Sequence, residues 1–540
     1  VSNQPADLLL TGGRVVTLDR AGTVAQAVAV SGATIRAAGS SEDLAALAGP
    51  ATRVVDLAGR TVIPGLIDSH CHFEDAGMDR DTVPFDGVTT MAEALRRIAA
   101  KASALGPGSW VRGQIWNPVL QLAERRAPTR HELDVAASGR PVFLPMGHSA
   151  AVSTAALASA GLDEHTRYGE GIVAREPSGH PSGLLIEDGV ALVARVVPPW
   201  TDEQRSRQLL DAMAVLNSWG ITSVVGGAMT PRDVDLLAEL ARHGRSSVRV
   251  AAMLMPTGEL NPSVDLDEWS ALLHGRKRAS ASDWLIERGV KLQLDGGMTL
   301  GTAATREAYD GRPDYRGELI ADPRRFTDLV RIAHRHDWPV GVHAVGDAAI
   351  DLALDTFERI PAAALPAVLI HASLIQPDQA KRAAALGVMV AAQTPFLWKN
   401  SGVIAGHLGR QRAERAVPLR TLVDTLGMDG VAAGTDYPIN GLNPFQNLYA
   451  MTTRRDLHGG STGAEQAVSR SEALRLYTMS GAAHTGEQGR KGAITPGRLA
   501  DLVVLDTDPL TADDAALLET RPLLTIAGGR VVFDVGHELS

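Results

Sequence analysis

Short apolar runs bounded by glycine, proline or small polar residues recur along the middle of the chain. Between them lie stretches whose apolar residues return every three or four positions. The runs predict strands over 61–69, 220–226, 248–255, 288–294, 338–343, 366–371, 386–392 and 430–435. The intervening stretches predict helices, among them Thr201–Trp219, Arg232–Arg242 and Pro323–His336. Eight strands alternating with helices predict an α/β fold, a (β/α)8 TIM barrel over residues 61–490. That span far exceeds the roughly 250 residues typical of such a barrel. The surplus follows the first strand, so residues 75–200 are expected to form an inserted substrate or lid domain. Within it, Pro128-Thr129-Arg130-His131-Glu132 carries the Thr-to-Glu spacing of a helix start.

The two ends of the chain read differently. Residues 7–60 and 498–534 alternate apolar strands with glycine turns. Thr11-Gly12-Gly13-Arg14-Val15-Val16 recurs as Ala527-Gly528-Gly529-Arg530-Val531-Val532, and both copies predict strand, glycine turn, strand. The termini, 1–60 and 491–540, are therefore expected to build one small β-sandwich domain with everything else inserted between them.

Composition excludes several classes of function. The net charge of −10, with no basic stripe, argues against nucleic acid as a partner. No apolar run is long enough to cross a bilayer, and the first seven residues lack the positive start and apolar core of a signal peptide. Cys71 is the single cysteine, which excludes an intramolecular disulfide and fits a reducing compartment. The expected location is cytoplasmic, with no membrane partner. Six lysines stand against 46 arginines, so a lysine inside a predicted strand draws notice.

The first barrel strand ends in Pro64-Gly65-Leu66-Ile67-Asp68-Ser69-His70-Cys71-His72. Strand side chains alternate, so His70 and His72 share a face while Cys71 points away. Paired imidazoles at the end of a buried parallel strand can open a metal site, the alternative being rings hydrogen-bonded to backbone. Other predicted strands end similarly: Lys291 before Asp295-Gly296, His343 before Gly346-Asp347, His371 after Val368-Leu369-Ile370, and Asp436 in Gly434-Thr435-Asp436. Barrel enzymes gather their chemistry at the C-terminal ends of the strands. His70, His72, Lys291, His343, His371 and Asp436 are thus expected to converge on one mouth. Gly226-Gly227 leaves the end of the second strand without a ligand and is expected to enlarge the pocket.

This ordered set of motifs, with the terminal run Gly492-Ala493-Ile494-Thr495-Pro496-Gly497-Arg498-Leu499-Ala500-Asp501, resembles the amidohydrolase superfamily over nearly the whole chain. Within it the chain is similar to the family 3 branch of N-substituted formamide deformylase and its relatives. The resemblance implies two divalent ions, zinc above all, with His70, His72 and Asp436 holding one and His343 and His371 the other. It also implies a carboxylated Lys291 bridging them. Burial favours a neutral lysine amine, which can capture carbon dioxide as a carbamate. The alternative is an unmodified Lys291 paired with Asp295 or Asp436. Water activated by the ions would attack a carbonyl, and Asp436 would take its proton and deliver it to the departing amine. The implied reaction is hydrolysis of a non-peptide carbon–nitrogen bond in a linear amide or N-substituted formamide. Cyclic amides, carbamates and esters are reachable by the same chemistry, and a non-catalytic regulatory relative is the reading from another class.

Relatives also carry a histidine where His148 stands, in Gly147-His148-Ser149, close to the substrate. It is read either as a donor to the carbonyl oxygen or as a loop histidine. Aromatic residues make up only 4% of the chain, yet Phe396 and Trp398 fall together after the seventh strand. They are expected to line the mouth with Trp116 of the insert and to receive an aryl or aralkyl group, unless they only pack the insert. The expected partner is a small-molecule substrate, with a homodimer as the expected assembly.

Overall fold

The computed structural model describes residues 4–106, 108–147, 149–166, 173–186, 188–255, 264–276, 280–360 and 367–536. The barrel strands are β1 (Leu66–Cys71), β2 (Ile221–Met229), β3 (Arg249–Leu254), β4 (Leu285–Gln293), β5 (Val340–Ala344), β6 (Val368–His371), β7 (Met389–Ala392) and β8 (Val431–Ala433). They pair in parallel in that order, and one further short strand, Ser280–Ser282, lies antiparallel against β4. Strands buried on both faces read as continuous apolar runs, which is why the pattern found them. Every residue of β1 and β3 is buried. The barrel interior is filled by Val225, Ala251, Met253, Val368, Ile370 and Ala391. Between strands, some of the helices begin where a side chain caps them. Thr230 caps Pro231–Arg242 and Asp322 caps Pro323–Arg335, each helix opening on a proline whose missing N–H costs nothing there.

Barrel strand β1 starts later than the sequence pattern suggests. Thr61–Pro64 pairs with Arg14–Val15 and with Leu502–Leu505, so it belongs to the terminal sheet and not to the barrel. The break falls at Gly65, where a Cβ would come within 2.1 Å of Thr222 Oγ1. The glycine lets β2 pass close enough for the chain to change sheets.

Both termini do form one β-sandwich. A four-stranded sheet (Thr34–Gly39, Ala27–Ser31, Leu8–Thr11, Arg53–Asp56) faces a six-stranded one that includes Leu502–Leu505, Pro522–Ala527 and Arg530–Asp534. Their shared core joins Leu8, Val28, Val30 and Ile35 to Leu502, Val504, Leu524 and Ile526. The two Gly-Gly-Arg-Val echoes diverge. Gly528 and Gly529, both at positive φ, turn a hairpin within one sheet, whereas Gly12-Gly13 carries the chain from one sheet to the other.

Residues Glu74–Ala212 form a second compact unit. This unit starts close to the expected residue 75 and runs past residue 200, ending within helix Asp202–Ser218. It has its own five-stranded sheet and two apolar cores. Helix Arg130–Ala136 starts with the expected box, Thr129 and Glu132 capping each other's backbone N–H groups.

Candidate metal centre

His70 lies on β1, His72 one residue past its end, Lys291 on β4, His343 on β5, His371 at the last position of β6, and Asp436 just beyond β8. The strand ends bring these side chains to one mouth. Asp436 Oδ1 stands 3.2 Å from His70 Nε2 and 3.6 Å from His72 Nε2. The rings of His70 and His371 are 5.3 Å apart, and those of His343 and His371 are 4.6 Å apart. Ligand atoms of His70, His371 and Asp436 all fall within 4.8 Å of one another. This tightest triad draws on both of the ligand sets implied by the resemblance.

Burial sets the electrostatics. Desolvation, then the charges of neighbouring groups, holds the His70 and His371 imidazoles well below their ordinary value, so both are neutral. Burial pushes Asp436 up to about 6, against the pull of His72 and Lys291. Burial pulls Lys291 down to about 8, with Asp436 opposing. Both ring nitrogens of His70 and Nδ1 of His371 are buried without a hydrogen-bond partner. Neutral imidazoles with uncommitted lone pairs beside a carboxylate suit a divalent cation of zinc type, and the donor set fits that group.

Two of these residues hold unusual backbone conformations. His371 has φ 74° and Asp436 φ 57°, the left-handed region that disfavours side chains. Strain of this kind persists only where surrounding structure enforces it.

The space beside His70 is not an enlarged pocket. A Cβ on Gly227 would lie 2.5 Å from His70 Cε1, and one on Gly226 would lie 2.5 Å from Met229 Sδ. The glycines of β2 make room for the His70 ring and a core side chain, correcting the expectation of a widened cavity.

The aromatic residues separate. Phe396 stands edge-on to His371 with ring centroids 5.9 Å apart, so it reaches the site. It sits on the first turn of helix Pro395–Leu408 instead of in a loop. Trp398, on the same helix, is buried edge-on against Tyr449 and serves as core. Trp116 belongs to the second unit, stacked on Phe85 at 3.9 Å within its apolar core. His148 lies outside the described residues.

Sequence reasoning passed over Asp68 and named Asp295 only as a partner for Lys291; both are buried carboxylates. Asp68 accepts hydrogen bonds from Thr435 and from His70 N. Asp295 accepts from the backbone of Ala304, Val345 and Gly346, with Oδ1 3.8 Å from His343 Nε2. Burial pushes each up to about 7. Strand alternation carried a signal for Asp68, two residues before His70 on the same strand.

An eight-stranded parallel barrel with neutral imidazoles and a carboxylate gathered at its strand ends is the architecture of a metal-dependent hydrolase. The chain belongs to the amidohydrolase family, whose pattern it matches over residues 53–533. It is 27% identical over 541 and more residues to two bacterial relatives, one being the N-substituted formamide deformylase of Arthrobacter pascens, with 97% of this chain and 98% of that protein covered. It is 29% identical to the protein LONG AFTER FAR-RED 3 of Arabidopsis thaliana, covering 98% of this chain and 92% of that one. Among solved structures, an uncharacterized metal-dependent hydrolase from Pyrococcus horikoshii superposes with a TM-score of 0.77 at 25% identity, covering 94% of this chain and 99% of that one.

Proposed function

We propose that this protein hydrolyses the carbon–nitrogen bond of a linear amide, of the N-substituted formamide type, using two divalent ions, zinc first. His70, His72, His343, His371, Asp436 and a carboxylated Lys291 would hold them. The observation that carries this reading is the meeting of His70, His371 and Asp436 ligand atoms within 4.8 Å, beside a lysine that burial pulls toward neutrality. The formamide deformylase of Arthrobacter pascens, similar along 97% of this chain, supports the choice of bond.

Divalent ions bound there would lower the pKa of water from 15.7 toward about 7 and polarise the substrate carbonyl. The chain's own groups do the rest. Asp436, at about 6, is mostly ionised at neutral pH and can accept a proton from the attacking water. The same carboxyl then returns that proton to the amine nitrogen as the carbon–nitrogen bond breaks. The neutral Lys291 Nζ forms a bond to the carbon of carbon dioxide and loses a proton, giving a carbamate with two ligand oxygens. On the resemblance alone, His148 would be a donor to the carbonyl oxygen. Phe396 offers an apolar face to the substituent on nitrogen.

Elemental analysis of protein purified without chelator, with turnover of N-substituted formamides, acyl amides, carbamates, lactams and esters, tests the proposal. Two equivalents of metal and preferential cleavage of linear amides are expected. Full activity in metal-free protein, or turnover confined to lactams or esters, would overturn it.

A further inference from the structure

The seam where the barrel closes, between β8 and β1, is joined differently from the other strand pairs. Among the described residues, backbone bonds cross it only near the mouth, from Asp436 N to His70 O at 2.9 Å and from His72 N to Tyr437 O at 2.9 Å. Just below, a side chain takes over. Asp68, fully buried on β1, accepts from Thr435 Oγ1 at 2.6 Å and from Thr435 N at 3.1 Å, while its Oδ1 also accepts from His70 N at 3.1 Å. One carboxylate therefore holds the residue before Asp436 and the backbone of His70 together. Gly434 fits this arrangement closely, since a Cβ there would lie 2.7 Å from His70 N and 2.8 Å from Asp68 Oδ1.

We propose that Asp68 and Thr435 form a latch that positions the Asp436 carboxylate against His70, a role that rests on the metal-site reading above. Asp436 is held at φ 57°, in the left-handed region that disfavours a residue with a side chain. Without an anchor on the preceding residue, the backbone relaxes toward negative φ and swings the carboxylate away from the imidazoles. Burying a carboxylate in a seam that backbone pairing could close is costly. What it contributes is a fixed angle between two ligand-bearing strands.

The test compares Thr435→Val, which keeps the shape but removes the hydroxyl donor, with Thr435→Ser, which retains it, and with Asp68→Asn. Each protein is stripped and titrated with cobalt(II), reading stoichiometry and the visible ligand-field spectrum. Thr435→Val and Asp68→Asn should bind cobalt at least about tenfold more weakly with an altered spectrum, a change of about 1.4 kcal/mol. Thr435→Ser should restore the wild-type spectrum. Wild-type affinity and spectrum in Thr435→Val would overturn the latch even if Asp68→Asn fails to fold. A wild-type chain that takes up no cobalt would overturn the metal reading and the latch with it.

Discussion

The mouth and the base of the barrel both bury charge, and they treat it in opposite ways. At the mouth, Lys291 and Asp436 lie among imidazoles, and burial drives them to about 8 and about 6. At the base, Arg249 is as deeply buried, yet its Nε and Nη2 meet Asp501 at 2.8 and 3.0 Å. Lys491 there pairs with Glu487 at 2.6 Å and reaches Ser223 Oγ at 3.2 Å. Burial lowers Lys491 too, but Glu487 and Asp501 oppose it. Burial alone is therefore no mark of function. At the base Arg249 and Lys491 each have an opposite charge, and the Arg249–Asp501 pair joins the barrel to the carboxy-terminal segment. At the mouth both ring nitrogens of His70 and Nδ1 of His371 lack a hydrogen-bond partner beside the Asp436 carboxyl, an arrangement that costs stability unless a ligand completes it.

The same Asp-to-Asn change should separate the two ends. Asp436→Asn should lower kcat by about 10²–10⁴-fold, because an amide cannot accept the proton. Calorimetry of the metal-free variant should show an unchanged or higher Tm, since wild type ionises this buried carboxyl against its desolvation cost. Normal turnover with lost stability would erase the distinction. Asp501→Asn should do the reverse, losing about 3–5 kcal/mol in urea unfolding while kcat per folded molecule holds. A variant that unfolds like wild type would show that the base pair contributes no stability.

His484 sharpens the comparison as the neutral group near the base. Burial, then Arg288, pulls its imidazole from 6.5 down to about 3. Because the folded value lies below the unfolded one, the unfolded chain takes up the proton first. The stability it contributes is complete above 6.5 and is lost as pH falls toward about 3. At about pH 5 the loss amounts to about 2 kcal/mol, so His484→Gln should shrink the stability difference between about pH 7.5 and about pH 5 by that much. An unchanged pH dependence would mean that the ring is protonated in the folded state.

The smallest effect separates the two aromatics of one helix. Phe396→Ala should raise KM about tenfold for amides with large apolar substituents and little for small ones. Trp398→Ala should lower the unfolding midpoint and leave that KM ratio alone. Equal ratios in both variants would make Phe396 scaffold as well.

The metal candidates were legible because their signal is local. Alternation placed His70 and His72 on one face, and His343 and His371 stand at the ends of apolar runs that a parallel barrel must bury. The helix start at Thr129 was equally local, written in its capping residue and Glu132 three positions on. The aromatics were not. Phe396 and Trp398 differ by two positions, and which of them meets His371 depends on how helix Pro395–Leu408 packs on Tyr449.

The sequence by itself determined most of the strands and the order of the candidate ligands, since alternation, capping and turn chemistry act within a few residues. Tertiary structure alone decided what fills each space. It put the His70 ring against Gly227, ended the terminal sheet at Gly65, and set Asp68 against Thr435, 367 residues away. Close packing leaves no room for a side chain whose neighbours come from distant strands, and those neighbours exist only once the barrel has closed.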